Sequence, residues 1–217
     1  MMNTPSLLLA AALLPLLSGC DTLAPEKITA ATPPEPAWVQ EARASATALP
    51  PKLMAVLSTA IQTSGPADAI DVCKEAAPRM AQAASAQSGW QIRRVSLGNR
   101  NPKATPDAWE RRALEEFDRS QKAGVVPAKL ERWEVVTVNG QAVRRYMRAL
   151  PTQPLCIQCH GTPDQLGAGV AQRLQQLYPH DRATGYAVGQ IRGAMTLQQA
   201  GQLDETRRQT VNELLKP

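Results

Sequence analysis

Hydrophobic positions recur every three to four residues along the first half of the chain, which predicts helices. The helical pattern starts at Ala37, and we expect Pro50-Pro51 to interrupt it. Gly65-Pro66 should end this helix, and an alanine-rich helix follows over residues 67–87, either whole or divided near Pro78. Ahead of Gly65, one apolar stripe is formed by Leu53, Val56, Leu57, Ala60 and Ile61.

The pattern changes to alternation in the second half, which predicts strands. Residues 90–97 and 191–197 alternate, and the clearest hairpin joins 131–138 to 141–150 through Asn139-Gly140, a pair that favours the tight turn between antiparallel strands. Helices are predicted over 107–122, with Trp109, Leu114 and Phe117 facing inward, over 163–178, and after Gln198. Helices followed by antiparallel strands with an inserted helix predict an α+β domain.

The N-terminus carries an apolar run, residues 7–17, that has the length of a signal-peptide core and is short for a membrane span. It ends in Leu17-Ser18-Gly19-Cys20, which resembles the lipobox of bacterial lipoproteins. That resemblance implies cleavage before Cys20 and a lipid on its sulfur. The alternatives are ordinary cleavage beside an incidental cysteine and an uncleaved anchor.

Three regions follow from this pattern. Residues 1–19 are expected to be a lipoprotein signal peptide. Residues 20–37 hold the lipidated Cys20 and a stretch rich in Pro and Ala that reads as an extended tether. Residues 38–217 are expected to form the folded domain. The protein should therefore be exported and held by lipid on the periplasmic side of a bacterial membrane.

Composition changes this picture little. Apolar residues make up 43% and charged residues 20% of the chain, as in ordinary globular proteins. The net charge is +5, but the arginines are scattered and do not form a stripe with aromatic residues, so no nucleic-acid role is expected. A basic surface suits anionic lipid or an acidic redox partner. The sequence does not define an oligomeric state.

The most informative stretch is Cys156-Ile157-Gln158-Cys159-His160, which has the Cys-x-x-Cys-His spacing of c-type haem attachment. The two thiols can add to the two vinyl groups of one porphyrin, and His160 then supplies the proximal imidazole to the iron. One covalent haem c is therefore expected. A zinc half-site and a thiol-redox pair are the alternatives, although a zinc site would need a second ligand pair and a redox pair a βαβ pattern.

Cys73 is left over in a compartment where free thiols oxidise. It is either an inert buried thiol or the ligand on the iron face opposite His160. The residues alone favour the inert thiol and leave the sixth ligand open. Other candidates for that position are His180, Met195, Met147, Met80 and Met54.

The chain also resembles the PAS-like c-type haem domain family. Four segments carry the resemblance: residues 69–78, residues 92–97 with Arg100-Asn101-Pro102, residues 156–161, and the stretch from Tyr178-Pro179 through Gly185-Tyr186 to residues 191–194. The resemblance implies a five-stranded PAS-like antiparallel sheet with flanking helices. It further implies His160 as the proximal ligand and Cys73 as a thiolate sixth ligand, which would stabilise ferric iron.

Arginines are the natural partners of the haem carboxylates. We expect Arg100 and Arg192, each in a family-like segment, to serve in this way. Arg93 and Arg94 stand next to each other in a predicted strand, so they should face opposite sides of the sheet, and at most one of them can reach the haem edge.

Three functions fit these features. The first is electron transfer or redox sensing by a membrane-tethered haem protein that acts on a redox partner or a separate signalling partner. The second is sensing of a diatomic gas or another ligand through a labile bond between Cys73 and iron. The third is a haem enzyme such as a peroxidase or a small-oxyanion reductase. An enzyme needs an open iron position and a distal acid–base group, and a protein thiolate on the iron argues against it.

Overall fold

The computed structural model describes residues 34–200. Three helical elements come first: α1 spans Ala37–Asp68, a π-helical segment spans Val72–Ala76, and α2 spans Ala77–Ser88. The predicted alanine-rich helix is therefore divided just ahead of Pro78, which lies in the first turn of α2 where its missing N–H is not needed. Cys73 lies in the π-helical segment.

The expected interruption at Pro50-Pro51 is wrong, because α1 continues through both prolines. A proline removes one helical hydrogen bond, but its fixed φ is helical, so a helix that packs well elsewhere tolerates it. The break at Gly65 is confirmed: its φ of 80° and ψ of 168° are not helical. Only glycine adopts that conformation without strain.

Four strands form one antiparallel sheet in the order β1-β4-β3-β2. They are β1 (Gln91–Val95), β2 (Glu131–Val138), β3 (Gln141–Pro151) and β4 (Ile191–Ala200). The predicted hairpin pairs β2 with β3, and Asn139 and Gly140 both have positive φ at its turn. The α+β class is confirmed. Residues 34–200 contain four strands and not five, because the long connection between β3 and β4 holds short helices.

The remaining helices are α3 (Ala108–Lys122), α4 (Ile157–His160) and α5 (Val170–Leu177), with short 3₁₀ turns between some of them. The single helix predicted over 163–178 is wrong. A 3₁₀ turn covers Pro163–Gln165, and α5 begins only after Gly169, whose φ is 75°. Strand β4 runs three residues past its predicted end, so residues 198–200 are strand, and the rest of the tail lies outside the described residues.

The sheet separates two hydrophobic clusters. On one face, α1 and α2 pack against it through Trp38, Val39, Trp90, Ile92, Tyr146 and Leu197. On the other face, α3 packs through Trp109, Leu114 and Phe117, as predicted, together with Val95, Met147 and Ala194. We refer to these as the α1 face and the α3 face. A third cluster, formed by Ile70, Val170 and Leu174 with Cys159 at its border, joins α5 to the start of the π-helical segment.

The first turn of α3 holds a buried charge network on the α3 face. Asp107 and Glu110 form a capping box, and Glu110 is only 1% exposed. Its carboxylate pairs with Arg93 and Arg145 and accepts a hydrogen bond from Thr196 Oγ1 at 2.9 Å. Arg93 therefore faces α3, and the prediction that Arg93 and Arg94 face opposite sides of the sheet is confirmed.

No helix among residues 34–200 has both the length and the apolar character needed to cross a membrane. The predicted signal peptide, Cys20 and most of the tether lie outside the described residues, so lipidation stays a prediction.

Candidate functional site

The Cys-x-x-Cys-His motif lies at the end of the sheet, immediately after β3. Cys156 closes a 3₁₀ turn, and Cys159 and His160 belong to the single turn of α4 that follows. Neither thiol forms a disulfide, and both side chains are half-buried. One helical turn therefore holds two free thiols and an imidazole within a few residues, the local geometry that attachment of a single porphyrin requires.

The His160 imidazole is oriented by a backbone carbonyl. Its Nδ1 lies 2.6 Å from the oxygen of Ala183, so we assign the proton to Nδ1 as the donor of that hydrogen bond. Burial, reinforced by the cations Arg192, Arg100 and Arg94, lowers the pKa of His160 well below its usual value. The ring is therefore neutral, and Nε2 keeps the lone pair that a metal ligand needs.

Arg192 lies behind this imidazole as a buried cation, 5% exposed. It donates hydrogen bonds to Ser96 Oγ at 2.9 Å and to the Gly98 carbonyl at 3.1 Å, and its guanidinium carbon lies 5.2 Å from the centre of the Tyr186 ring. Burial lowers the pKa of Arg192 to about 9, so it stays charged at neutral pH. Its Nε lies 3.2 Å from His160 Nδ1, but a protonated Nδ1 that donates to Ala183 cannot also accept from Arg192, so Arg192 acts on the ring through packing and charge.

Arg100 holds the other side of the motif. It forms an ion pair with Asp181 at 3.0 Å and donates a hydrogen bond to the Cys159 carbonyl at 2.6 Å. Asp181 in turn accepts a hydrogen bond from the Ala183 amide at 2.9 Å. The same short network therefore fixes both the end of α4 and the carbonyl that orients His160.

Two glycines allow this close packing. A Cβ on Gly98 would lie 2.5 Å from the Tyr186 hydroxyl and 2.6 Å from the Arg182 carbonyl oxygen. Gly193 has a φ of 149°, and a Cβ there would lie 2.3 Å from the Val95 carbonyl oxygen. The ends of β1 and β4 can therefore approach closely enough for Ser96 to bond to the Arg192 carbonyl at 2.9 Å.

Cys73 is brought to this motif by the packing of the residues that come just before it in the sequence. Ile70 packs in the cluster that Cys159 borders, and Asp71 pairs with Arg173 of α5 at 2.9 Å. Burial raises the pKa of the Cys73 thiol, and the cations Arg94, Arg100 and Arg192 oppose that shift. The free thiol is therefore protonated at neutral pH and needs a metal ion to bind as thiolate.

Apolar surface beside Cys73 is only partly covered. In the first half of α1, the residues that pack on the α1 face of the sheet are buried. The apolar stripe predicted for its second half is not buried: Val56 is 42% exposed, and Leu53, Leu57 and Ile61 are half-buried. The π-helical segment and α2 also contain no fully buried residue. This surface leads to Pro66, whose carbonyl lies 3.9 Å from Cys159 Sγ. A flat apolar group between these helices would cover it, so the residues present fit a porphyrin.

The other candidate iron ligands are placed differently. Met195 and Met147 are buried in the two sheet clusters, and Met147 is on the α3 face, away from the motif. His180 is exposed, and Met54 and Met80 are half-buried on the helices. Residues 34–200 contain no group of three or more His, Cys, Asp or Glu residues arranged to hold a bare metal ion.

Sequence reasoning missed the partners of the motif. It identified Arg100 and Arg192, but it did not anticipate that both contact the motif itself, at the Cys159 carbonyl and at His160. The Ala183 carbonyl carries no side-chain signal and could not have been found. The one available hint was that Ser96 and Tyr186 stand in the segments that carried the family resemblance. Whether Arg100 and Arg192 also contact haem carboxylates stays a prediction.

Replacing Arg100 by Ala is expected to destabilise the protein by about 3 kcal/mol, because it leaves the buried Asp181 carboxylate without its cation. Chemical denaturation monitored by circular dichroism measures this loss. Arg79→Ala is the matched control: Arg79 pairs with Glu75 at 3.7 Å, but the two side chains are 70% and 60% exposed, so the cost should be about 0.5 kcal/mol or less. Equal losses in the two variants would contradict the structural role of Arg100.

An antiparallel sheet with helices on both faces, and a Cys-x-x-Cys-His turn at its end that packs near the segment bearing Cys73, define a PAS-like c-type haem domain. The chain matches the sequence model of the Tll0287-like family over residues 28–200 and belongs to that family. The resemblance inferred from the four segments is thereby confirmed.

A solved structure agrees with the family match. The chain is similar to the crystal structure of the cyanobacterial haem protein Tll0287, with a TM-score of 0.57 and 27% sequence identity. The match covers 79% of this chain and 99% of that chain. No curated protein matches the sequence.

Proposed function

We propose that this protein is a c-type haem protein that transfers electrons or senses redox state. One haem would be attached through Cys156 and Cys159, with His160 and Cys73 as its axial ligands. The observation that carries the proposal is the packing of the Cys-x-x-Cys-His turn against the segment that bears Cys73, through the cluster of Ile70 and Cys159. The similar cyanobacterial structure is that of a haem protein, which supports the same assignment.

The chain's own residues would set the properties of the iron. The haem supplies a one-electron couple when bound. Ala183 and Arg192 hold the His160 ring, so the proximal ligand is fixed before the cofactor binds. A Cys73 thiolate donates charge and favours ferric over ferrous iron, so the potential should be low compared with a Met/His cytochrome. With both axial positions filled by protein, electron exchange is favoured over turnover of a substrate.

Production of the protein together with a cytochrome c maturation system tests the proposal. The polypeptide is expected to keep its haem in a denaturing gel, where peroxidase staining shows covalently attached haem. The Cys156→Ser/Cys159→Ser double variant is the matched control and should lose the stain while the polypeptide is still made. A wild-type protein that matures without covalent haem would contradict the proposal.

Ligand sensing is the second candidate, and one observation favours it. Cys73 lies in a π-helical segment, a rare conformation that occurs often at functional sites, and no residue of that segment is fully buried. A ligand on such a segment can leave the iron at smaller cost. Binding of carbon monoxide to the reduced protein, seen as a shift of the Soret band, would support sensing, and an unchanged spectrum would contradict it.

We also propose that the haem domain is tethered to the periplasmic side of a membrane through a lipid on Cys20. The support is the lipobox-like Leu17–Cys20 and the Pro-rich residues after it. Each buried CH₂ of the acyl chains would add about 0.8 kcal/mol of membrane affinity. The partner would then be a periplasmic redox protein or a separate signalling protein.

A further inference from the structure

Arg94 is a cation on the motif side of the sheet. It is the penultimate residue of β1 and pairs in register with Met195 of β4. Its neighbour Arg93 reaches Glu110 on the α3 face, so by strand alternation Arg94 lies on the α1 face, the face that Ile92 shares. The backbone thus presents Arg94 toward the helices that carry Cys73.

Arg94 differs from the buried arginines around it. Arg100 is paired with Asp181, Arg145 with Asp107 and Glu110, and Arg192 is held by Ser96 and Gly98. Arg94 has no hydrogen bond and no ion pair to any residue within 34–200. Its side chain is exposed to solvent, so the guanidinium is free to bind an anion that the polypeptide does not supply.

The surroundings of Arg94 locate that partner. The groups that act on its charge are Cys73, Cys156, Tyr186 and Arg100, which come from the π-helical segment, the haem-attachment turn and the two loops beside it. Protein crowds the guanidinium closely enough to lower its pKa by desolvation, and yet its surface remains exposed. Arg94 therefore lies near both Cys73 and Cys156 and is open to solvent.

We propose that Arg94 binds a carboxylate of the porphyrin held at Cys156 and Cys159, an inference that rests on the proposed function. The planar guanidinium fork matches a carboxylate with two parallel N–H···O bonds, whereas a sulfur ligand on iron offers one acceptor whose charge the metal already offsets. Arg100 and Arg192 donate their hydrogen bonds to groups of the protein, whereas the N–H groups of Arg94 have no acceptor among residues 34–200. The porphyrin carboxylate would also supply the negative counter-charge that Arg94 does not find among residues 34–200.

The test compares Arg94→Gln with Arg93→Gln in the haem-loaded protein. The two residues are adjacent in the same strand and face opposite sides of the sheet. A cation holds the pKa of a bound carboxylic acid down, so its removal raises that pKa. In a redox titration repeated from mildly acidic to mildly alkaline pH, the pH range over which the midpoint potential falls should move upward in Arg94→Gln. Arg94→Lys keeps a cation at this position, so its pH dependence should return most of the way to that of the wild type.

Arg93→Gln should behave in the opposite way. It removes one partner of the buried Glu110, so it should lower the unfolding temperature and leave the pH dependence of the potential at its wild-type position. Around the haem edge, Cys73, Cys156, His160, Tyr186, Arg100 and Arg192 are unchanged in both variants. The difference between the two variants therefore reports the carboxylate alone.

Three results would overturn the inference. In the first, Arg94→Gln keeps the wild-type pH dependence. In the second, added inorganic phosphate shifts the wild-type potential but not that of Arg94→Gln, which would show that the anion is free in solution. In the third, the ferric electron paramagnetic resonance spectrum changes while the pH dependence does not, which would place Arg94 on the Cys73 sulfur. A wild-type protein that attaches no haem would contradict the proposed function instead.

Discussion

The His160→Ala variant is expected to lose at least nine-tenths of the stably bound, low-spin haem found in the wild-type protein. The thiols could still add to the porphyrin, but the iron would lack its proximal nitrogen, and loss of even an indirect partner of a metal ligand typically costs 10- to 100-fold in affinity. The measurement is the ratio of Soret absorbance to protein absorbance after maturation and purification.

His180→Ala is the matched control, because these are the two histidines of the chain and His180 is exposed at the surface. It should retain the wild-type absorbance ratio and spectrum. If His160→Ala kept full low-spin haem, the proximal assignment would be wrong. If His180→Ala lost the low-spin spectrum, the more exposed histidine would be the ligand and the geometry at Ala183 would serve another purpose.

The Cys73→Ala variant is expected to convert the ferric protein from low-spin to high-spin, and to raise the midpoint potential by on the order of 0.1 V. The thiolate is a strong anionic donor that stabilises ferric iron, and axial ligands together tune haem potentials over about 0.8 V. Optical and electron paramagnetic resonance spectra of the protein as isolated measure the spin state, and a redox titration measures the potential.

Lys74→Ala provides the control for Cys73→Ala. Lys74 is the next residue of the same π-helical segment and is exposed, so its removal changes the segment without touching the site. It should leave spectrum and potential as in the wild type. Wild-type spectra in Cys73→Ala would exclude the cysteine as ligand and leave Met54 and Met80, the half-buried methionines of α1 and α2, to be tested in the same way.

The parts of the fold that the sequence predicted are those set by local patterns. Alternation placed the strands, Asn139-Gly140 marked the hairpin turn, and adjacent positions sent Arg93 and Arg94 to opposite faces. The errors lie where tertiary contacts or backbone freedom override local preference. Pro50-Pro51 does not interrupt α1, and positive φ at Gly169 shortens the helix predicted over residues 163–178.

In the candidate site, too, local sequence patterns predicted some residues, and tertiary contacts decided the others. The predicted attachment residues Cys156 and Cys159 and the predicted ligand His160 follow from the motif spacing, which the sequence displays directly. The partners that hold them lie 23 to 59 residues away from the groups they bind, and one of them is a backbone carbonyl. No periodicity records such contacts. The family resemblance pointed to the right segments, and only the structure shows which atoms in those segments meet.

The two proposed axial ligands rest on supports of unequal stiffness. His160 is held by the Ala183 carbonyl and packs against Arg192, which lies at the start of the central strand β4. Cys73 lies instead on one π-helical turn that continues into α2, a helix with no fully buried side chain. A change in the iron–sulfur bond would therefore be relayed outward along α2, while the sheet stays still. The support of His160 is therefore rigid, and the support of Cys73 is less tightly packed. The less tightly packed support faces the solvent, where a partner protein can respond to its movement.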